Sequence, residues 1–142
     1  MSSHNSNTRV PVSVLTLQKW KKEGRRISAM TAYDFTTARL VDEAGVDLIL
    51  VGDSLGNVVQ GLDSTLPVTL EEVIYHARSV RRAIQRAHLV ADMPFMTYQV
   101  TPEMALVNAG RLMKEAQVQS VKLEGGKIYA DTVKRITQAG IP

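Results

Sequence analysis

The stretch that decides the fold is Val121-Lys122-Leu123-Glu124-Gly125-Gly126. Its alternation is typical of a strand, with Lys122 and Glu124 on one side and apolar side chains on the other. The glycine pair, without the rest of a phosphate-loop pattern, is weak support for phosphate binding. The pattern therefore predicts a strand that presents a cation and a carboxylate together.

Two earlier apolar runs also end at an acid. Asp53 follows residues 48–51 after one glycine, and Asp92 directly follows residues 89–91. If these strands are parallel neighbours, Asp53, Asp92 and Glu124 meet at the carboxyl edge of one sheet. That edge is where α/β folds place their functional sites.

Strand and helix patterns alternate along the chain. Asp34, the capping box that begins at Thr69 and the sequence Thr101-Pro102-Glu103 are helix starts. A short helix is also expected from Thr16, which would cap it, to Glu23. The alternation predicts parallel strands joined by right-handed crossovers. The expected strands span 27–33, 48–51, 88–91 and 121–124, and the helices that follow them span 35–44, 69–84, 101–116 and 129–139.

The chain has fewer residues than a complete domain of the fold that its sequence pattern indicates. A (β/α)₈ barrel typically needs about 250 residues, and this chain has 142. We therefore predict an α/β fold of parallel (β/α) units that form the first half of a TIM (β/α)₈ barrel. This catalytic unit would span 14–142, after a flexible tail at 1–13. The long loop at 56–68 is of a kind that forms lids or binding loops. Ile141-Pro142 is expected to open a fifth strand, which indicates part of a longer enzyme.

Composition narrows the class of protein. Hydrophobic residues make up 44% and charged residues 22%, which is typical of a globular protein. The absence of cysteine excludes disulfides and thiolate metal sites. The first residues lack the apolar core of a signal peptide and no apolar run could span a bilayer, so a cytoplasmic protein is expected. The net charge of +3 arises from cations on helix faces, which favours solvated faces or subunit contacts over nucleic-acid binding.

The three acids offer hard oxygen ligands. With no cysteine and no nearby histidine pair, Asp53, Asp92 and Glu124 suit Mg²⁺, which takes one or two carboxylates and leaves positions for substrate oxygens. A 2-oxo acid could fill two such positions. Lys122 would neutralise substrate charge or support a carboxylate, and Ser54 could donate to the substrate carboxylate. Polarisation of the keto group would favour an enolate, which is a carbon nucleophile.

Each of these residues also has a purely structural interpretation. A single Asp at a strand end is often a helix cap or a turn former. Glu124 beside Lys122 could be a simple ion pair. His76 and His88 are expected to pack or to lie on the surface rather than to act in catalysis. Three acids at one topological position nevertheless favour a site.

Several motifs together resemble the ketopantoate hydroxymethyltransferase family. The resemblance runs in order and with matching spacing from about Thr16 to Pro142. The motifs are Thr31-Ala32-Tyr33-Asp34, Val51-Gly52-Asp53-Ser54-Leu55-Gly56, Gln60-Gly61 with Asp63-Ser64-Thr65-Leu66-Pro67-Val68-Thr69, Tyr75-His76, Ala91-Asp92-Met93-Pro94-Phe95-Met96 and Val121-Lys122-Leu123-Glu124-Gly125-Gly126.

This resemblance implies a TIM barrel of the phosphoenolpyruvate/pyruvate-binding type, assembled as a homo-oligomer, usually a decamer. It implies that Asp53, Asp92 and Glu124 hold magnesium. The first two of these, with Ser54 and Lys122, would contact 3-methyl-2-oxobutanoate. The implied reaction moves a hydroxymethyl group from 5,10-methylenetetrahydrofolate to that oxo acid and gives 2-dehydropantoate, in pantothenate biosynthesis.

The family's general base is a glutamate to which no position of this chain corresponds, so it is expected beyond residue 142. Loss of a positioned base typically costs ~10²–10⁴ in rate. The resemblance therefore implies that the 142-residue chain alone has negligible transferase activity.

Three rival interpretations stay open at this point. A related magnesium-dependent lyase or mutase would use a 2-oxo acid without folate. A phosphoacceptor signalling domain also sets acids at strand ends, but it needs paired acids after its first strand, where only Asp34 follows Tyr33. A non-catalytic half-barrel could pair with itself across its open edges.

Overall fold

A four-stranded parallel sheet organises the chain. The computed structural model describes residues 10–142. Each strand pairs with the next one along the sequence. This sequential order belongs to a (β/α)₈ barrel rather than to a doubly wound sheet, in which the strand order reverses. The strands are β1 (Ala29–Thr31), β2 (Leu48–Val51), β3 (His88–Asp92) and β4 (Ser120–Lys122).

Helices connect and flank these strands. They are α1 (Val14–Lys22), α2 (Phe35–Glu43), α3 (Leu55–Val58), α4 (Leu70–Ala83), α5 (Pro102–Ala116) and α6 (Ala130–Gln138), with a 3₁₀ turn at Lys127–Tyr129. The predicted caps are confirmed: Asp34 starts α2, Thr69 and Glu72 form the capping box of α4, and Thr101 starts α5. Within residues 10–142, no helix combines the length and the apolar character needed to cross a bilayer.

Apolar stripes of α4 and α5 pack against the sheet. Val73, Ala77 and Val80 of α4 are fully buried, as are Ala109 and Leu112 of α5. They share one core with the apolar residues of β2 and β3. Every residue of β3 is buried, as expected of a central parallel strand covered on both faces, whereas β1 at the sheet edge is exposed.

The N-terminal segment departs from the sequence prediction. Residues 1–9 of the expected flexible tail lie outside the described residues, but Val12 is only 1% exposed. Its N–H donates to the Arg86 carbonyl at 2.8 Å, and its own carbonyl lies 3.1 Å from Nδ1 of His88. At Val12 the expectation of a flexible segment is wrong, because apolar burial and hydrogen bonds fix the chain near the amino end of β3.

Two further boundaries differ from expectation. Ser13, not Thr16, caps α1, since the Ser13 hydroxyl accepts from the Thr16 N–H at 3.1 Å. The loop expected over 56–68 contains most of α3 at its start. At the other end, the Pro142 carbonyl accepts from the Val121 N–H at 3.0 Å. The last residue therefore lies beside β4, where a fifth parallel strand was expected to open.

Two buried carboxylates tie the amino ends of the strands together. Asp42 accepts from the backbone N–H groups of residues 85–87, the shortest of these bonds being 2.6 Å. Asp47 accepts from Ser28 at 3.1 Å and from the Arg86 guanidinium at 2.7 Å. Burial alone would raise the pKa of Asp47, but the bonds from Arg86 and Ser28 outweigh it and lower that pKa. The amino edge is thus held by satisfied polar groups.

Gly56 and Gly110 should respond oppositely to the same substitution. A Cβ on Gly56 would lie 2.7 Å from Cγ2 of Val68, a buried and stiff side chain. Gly56→Ala should therefore lower the free energy of unfolding by ~1–3 kcal/mol. A Cβ on Gly110, inside α5, would meet nothing within 4 Å, so Gly110→Ala should raise it by ~0.5–1 kcal/mol. Urea denaturation followed by circular dichroism measures both, and a neutral Gly56→Ala would contradict the close packing.

His88 should make the stability of the chain depend on pH. Its ring is buried between the Val12 carbonyl and the Ser120 hydroxyl, and burial lowers the pKa of His88 below its ordinary 6.5. Protonation therefore favours the unfolded chain, so the free energy of unfolding should fall as the pH drops from about 7 to about 5.5. Urea denaturation at the two pH values measures this. His88→Gln should be less stable but should lose most of the slope, and an unchanged slope would exclude His88 as its source.

Candidate functional site

The carboxyl edge of the sheet holds a cavity of about 200 Å³. The structure brings the predicted acids Asp53, Asp92 and Glu124 to its lining. Asp92 pairs with Lys122 in the register of β3 and β4, so the ends of the two strands lie side by side. The other lining residues are Thr65, Leu66, Met93, Phe95, Tyr98 and Gln99.

Lys122 joins two of the three acids. Its Nζ donates to both oxygens of Asp92, at 2.9 and 2.8 Å, and to Oε1 of Glu124 at 2.7 Å. The Asp92 side chain is 5% exposed, whereas that of Glu124 is 73% exposed. Asp53 approaches from β2 through its backbone N–H, which lies 3.4 Å from Oδ2 of Asp92. The predicted support of a carboxylate by Lys122 is therefore seen at Asp92.

The charges at this edge shift one another's pKa values. Burial raises the pKa of Asp92, and Lys122 only partly offsets that effect. Burial opposes the charged form of Lys122, but its bonds to Asp92 and Glu124 outweigh burial and raise its pKa. The bond from Lys122 also lowers the pKa of the exposed Glu124. The ammonium and Glu124 are thus held in their charged forms.

The arrangement differs from a closed three-carboxylate cluster. Over residues 10–142, no three acidic or histidine side chains stand at metal-ligand spacing. The Lys122 ammonium bridges Asp92 and Glu124, and Asp53 contacts Asp92 only through its backbone. The three acids therefore line one cavity, but their carboxylates are not close enough together for all three to bind one metal ion directly, as had been expected.

The buried backbone at Gly52 lies close to Ser54 and Asp92. A Cβ at this residue would lie 3.1 Å from Oγ of Ser54 and 3.6 Å from Oδ2 of Asp92. Both oxygens thus border the space that a side chain at position 52 would fill. A side chain at position 52 would crowd the Ser54 hydroxyl, so glycine suits this close approach of the backbone to both oxygens.

Ser54, predicted to bind substrate, is held by a residue that the sequence analysis did not select. The hydroxyl of Tyr33, which follows β1, lies 2.6 Å from Oγ of Ser54. His76 on α4 donates through Nδ1 to the Tyr33 carbonyl at 2.7 Å. Tyr33 comes shortly after the end of β1, just as Asp53 comes shortly after the end of β2. Its place at a strand end is therefore the signal that could have identified Tyr33.

Tyr98 is a second residue that the sequence analysis missed. It lines the cavity, and its hydroxyl accepts a hydrogen bond from the Glu124 N–H at 3.2 Å. Its ring packs edge to face on Tyr129, with centroids 5.3 Å apart. Gly125 has φ +126°, and a Cβ there would overlap the Tyr129 ring. The first glycine of the Gly125-Gly126 pair therefore has a packing role, since only glycine fits beneath that ring.

Solved structures share this fold. A 2,3-dimethylmalate lyase, described as a member of the PEP mutase/isocitrate lyase superfamily, aligns with a TM-score of 0.69 at 17% identity, over 92% of this chain and 48% of that one. A phosphonopyruvate hydrolase solved in complex with oxalate and Mg²⁺ aligns with a TM-score of 0.54 at 14% identity, over 88% of this chain and 59% of that one. At these identities the likeness concerns the fold alone. It confirms the predicted fold, in which parallel (β/α) units form about half of a (β/α)₈ barrel.

Sequence relatives are far closer. A protein of Thermoanaerobacter sp. (strain X514), named 3-methyl-2-oxobutanoate hydroxymethyltransferase, is 58% identical over 131 residues, which are 92% of this chain and 48% of that protein. A protein of the same name from Chlorobium luteolum is 51% identical over 146 aligned positions, covering 100% of this chain and 53% of the relative. The chain thus spans about half the length of the curated relatives it matches.

A family model agrees with these relatives. The model for ketopantoate hydroxymethyltransferase matches residues 11–142, which is nearly the whole of the described chain. The match includes all the strand ends that line the cavity. By this match and these identities, the chain belongs to the ketopantoate hydroxymethyltransferase family.

Proposed function

We propose that this chain forms the metal and oxo-acid side of a hydroxymethyltransferase active site. The reaction transfers a hydroxymethyl group from 5,10-methylenetetrahydrofolate to 3-methyl-2-oxobutanoate and gives 2-dehydropantoate for pantothenate biosynthesis. The observation that carries the proposal is the cavity in which Asp53, Asp92 and Glu124 meet beside the Lys122 ammonium. The names of the relatives support the choice of substrate.

The charge count of this cavity fits a divalent cation. Counted as ionised groups, three carboxylates and one ammonium leave two negative charges. All the acidic donors are hard oxygens, which Mg²⁺ prefers, and Mg²⁺ needs only one or two direct carboxylates because it keeps several waters. Asp53 and Asp92 would hold the ion directly, and Glu124, the third predicted ligand, would act through the waters that Mg²⁺ keeps. The bound ion would act as a Lewis acid on the keto oxygen of the substrate.

The residues of the chain would orient the oxo acid in this cavity. The Lys122 ammonium would balance the negative charge of the substrate while it keeps Asp92 in place. The Ser54 hydroxyl, which lies beside Asp92, would donate to a substrate oxygen. Leu66, Met93 and Phe95 offer the apolar lining that a branched alkyl group requires. The site would thus bind the charged end of the oxo acid through polar groups and its alkyl group through apolar side chains.

The overall reaction consumes one water molecule. The bond between C3 of the oxo acid and its hydrogen breaks, and a new carbon–carbon bond forms to the methylene carbon of the folate. Both bonds between the methylene carbon and the folate nitrogens break, and water supplies the new hydroxyl group. The C3 proton and the remaining water proton end on those two nitrogens of the tetrahydrofolate that leaves. With the ion bound, polarisation of the keto group would make the neighbouring C3 acidic enough to lose its proton.

Binding of the oxo acid should require the divalent ion and the acids. Isothermal titration of the chain with 3-methyl-2-oxobutanoate should give heat with Mg²⁺ present and none with chelator. Asp53→Asn and Asp92→Asn should each weaken binding by about 10-fold or more, because loss of one charge-assisted contact typically costs ~1.5–3 kcal/mol. The magnesium site would be contradicted if chelator left the affinity unchanged.

Asp34→Asn is the matched control for this titration. Asp34 is an exposed carboxylate near the same edge that caps α2 through the Thr37 N–H. Asparagine caps helices about as well, so the fold should persist. This variant should bind like the parent chain, and equal losses at positions 34 and 53 would indicate a general charge effect. Because Asp92 is buried, circular dichroism should accompany the Asp92→Asn measurement, and the partly exposed Asp53 provides the independent variant.

A further inference from the structure

We propose that Tyr33 is a positioning residue for oxo-acid binding, which acts by orienting the Ser54 hydroxyl. This inference rests on the proposed function and adds a residue to it. Tyr33 lies just after β1, and Ser54 lies between β2 and α3, so their contact joins the carboxyl ends of two neighbouring strands. The hydroxyl oxygens are 2.6 Å apart, which is a short hydrogen bond between two neutral hydroxyl groups.

The direction of this hydrogen bond follows from the two hydroxyl groups. A phenol is a stronger acid than an alkyl alcohol and therefore the better donor. With Tyr33 as donor, Ser54 Oγ accepts and keeps its own proton for another partner. Hydrogen bonds in such a chain polarise one another, so the Ser54 O–H becomes a better donor to a ligand oxygen.

Ser54 is partly exposed, and its hydroxyl lies beside the Asp92 carboxylate. Oγ of Ser54 and Oδ2 of Asp92 face the same narrow space beside Gly52, since a Cβ at Gly52 would lie 3.1 Å from the first and 3.6 Å from the second. A donor beside a carboxylate suits a ligand that carries both a keto oxygen and a carboxylate. Rotation of the Ser54 side chain away from this space would remove the donor, and the bond from Tyr33 opposes that rotation.

Tyr33 is itself held from a different element. His76 on α4 donates through Nδ1 to the Tyr33 carbonyl at 2.7 Å. On the strand side, the N–H of the preceding residue, Ala32, donates to the Leu50 carbonyl at 3.2 Å. The backbone at Tyr33 is therefore fixed between the sheet and α4, so that its hydroxyl holds Ser54 at a constant place.

A double-mutant cycle on the 142-residue chain tests this role. The affinity for 3-methyl-2-oxobutanoate, with Mg²⁺ in excess, would be measured by titration calorimetry for the parent chain, Tyr33→Phe, Ser54→Ala and the double variant. Tyr33→Phe keeps the ring and removes only the hydroxyl, and it should weaken binding about 5-fold, as for loss of one hydrogen bond. The double variant should bind no more weakly than Ser54→Ala alone, because Tyr33 acts through Ser54.

Tyr75→Phe is the matched control. Tyr75 is 67% exposed on α4, next to His76, and its hydroxyl lies outside the cavity lining. This variant should bind like the parent chain. A purely structural role for Tyr33 would instead weaken binding by the same factor whether Ser54 is present or not, and such additivity would overturn the inference.

The outcomes also separate this inference from the proposed function. If the parent chain binds the oxo acid and Tyr33→Phe binds equally well, the positioning role of Tyr33 is wrong and the proposed function stands. If the parent chain shows no magnesium-dependent binding at all, the proposed function fails and this inference fails with it. A coupled loss that appears only when Ser54 is intact supports both.

Discussion

The buried carboxylate of Asp92, paired with the Lys122 ammonium of the next strand, is the interaction on which the carboxyl edge depends. Removal of a carboxylate from water costs several kcal/mol, and a cation offsets that cost only with good geometry and further hydrogen bonds. Here Lys122 reaches both oxygens of Asp92, and the Asp53 N–H adds a longer contact. A buried ion pair contributes little net stability to the fold, since apolar residues of similar volume often stabilise a protein as much. Its place at the end of a central strand therefore fits a binding site better than a scaffold.

The two edges of the sheet use polar groups in different ways. At the amino edge, Asp42 and Asp47 accept hydrogen bonds from backbone and arginine groups, and His88 is satisfied by Val12 and Ser120. No ligand needs to enter for these groups to be paired. At the carboxyl edge, Glu124 stays largely exposed and the three acids line a cavity. This division agrees with barrel folds, in which one face provides stability and the other provides chemistry.

The sequence was sufficient for the fold and for the position of the acids, and insufficient for how the acids are connected. Strand periodicity and the helix caps depend on neighbouring residues, so Asp34, Thr69 and Thr101 could be assigned locally. The contact of Tyr33 with Ser54 joins residues 21 positions apart, and that of Tyr98 with Glu124 joins residues 26 apart. A tyrosine in such a pattern is equally consistent with core packing. Val12 was missed for a similar reason, because its hydrogen bonds are to Arg86 and His88, and the contact with His88 joins residues 76 positions apart.

The hydrogen bonds among residues at the strand ends determine how the site responds to amino-acid substitutions. Asp53 contacts Asp92 through its backbone, Asp92 shares Lys122 with Glu124, and the Glu124 N–H donates to Tyr98. Each acid is therefore held through another, and removal of one partner alters the charge and the position of the next. Effects of substitutions within such a network are not additive. Lys122 illustrates this most directly, because its loss would leave Asp92 buried without a cation while Glu124 would be free to move. The role of any one of these residues can thus be assigned only by comparing variants in pairs.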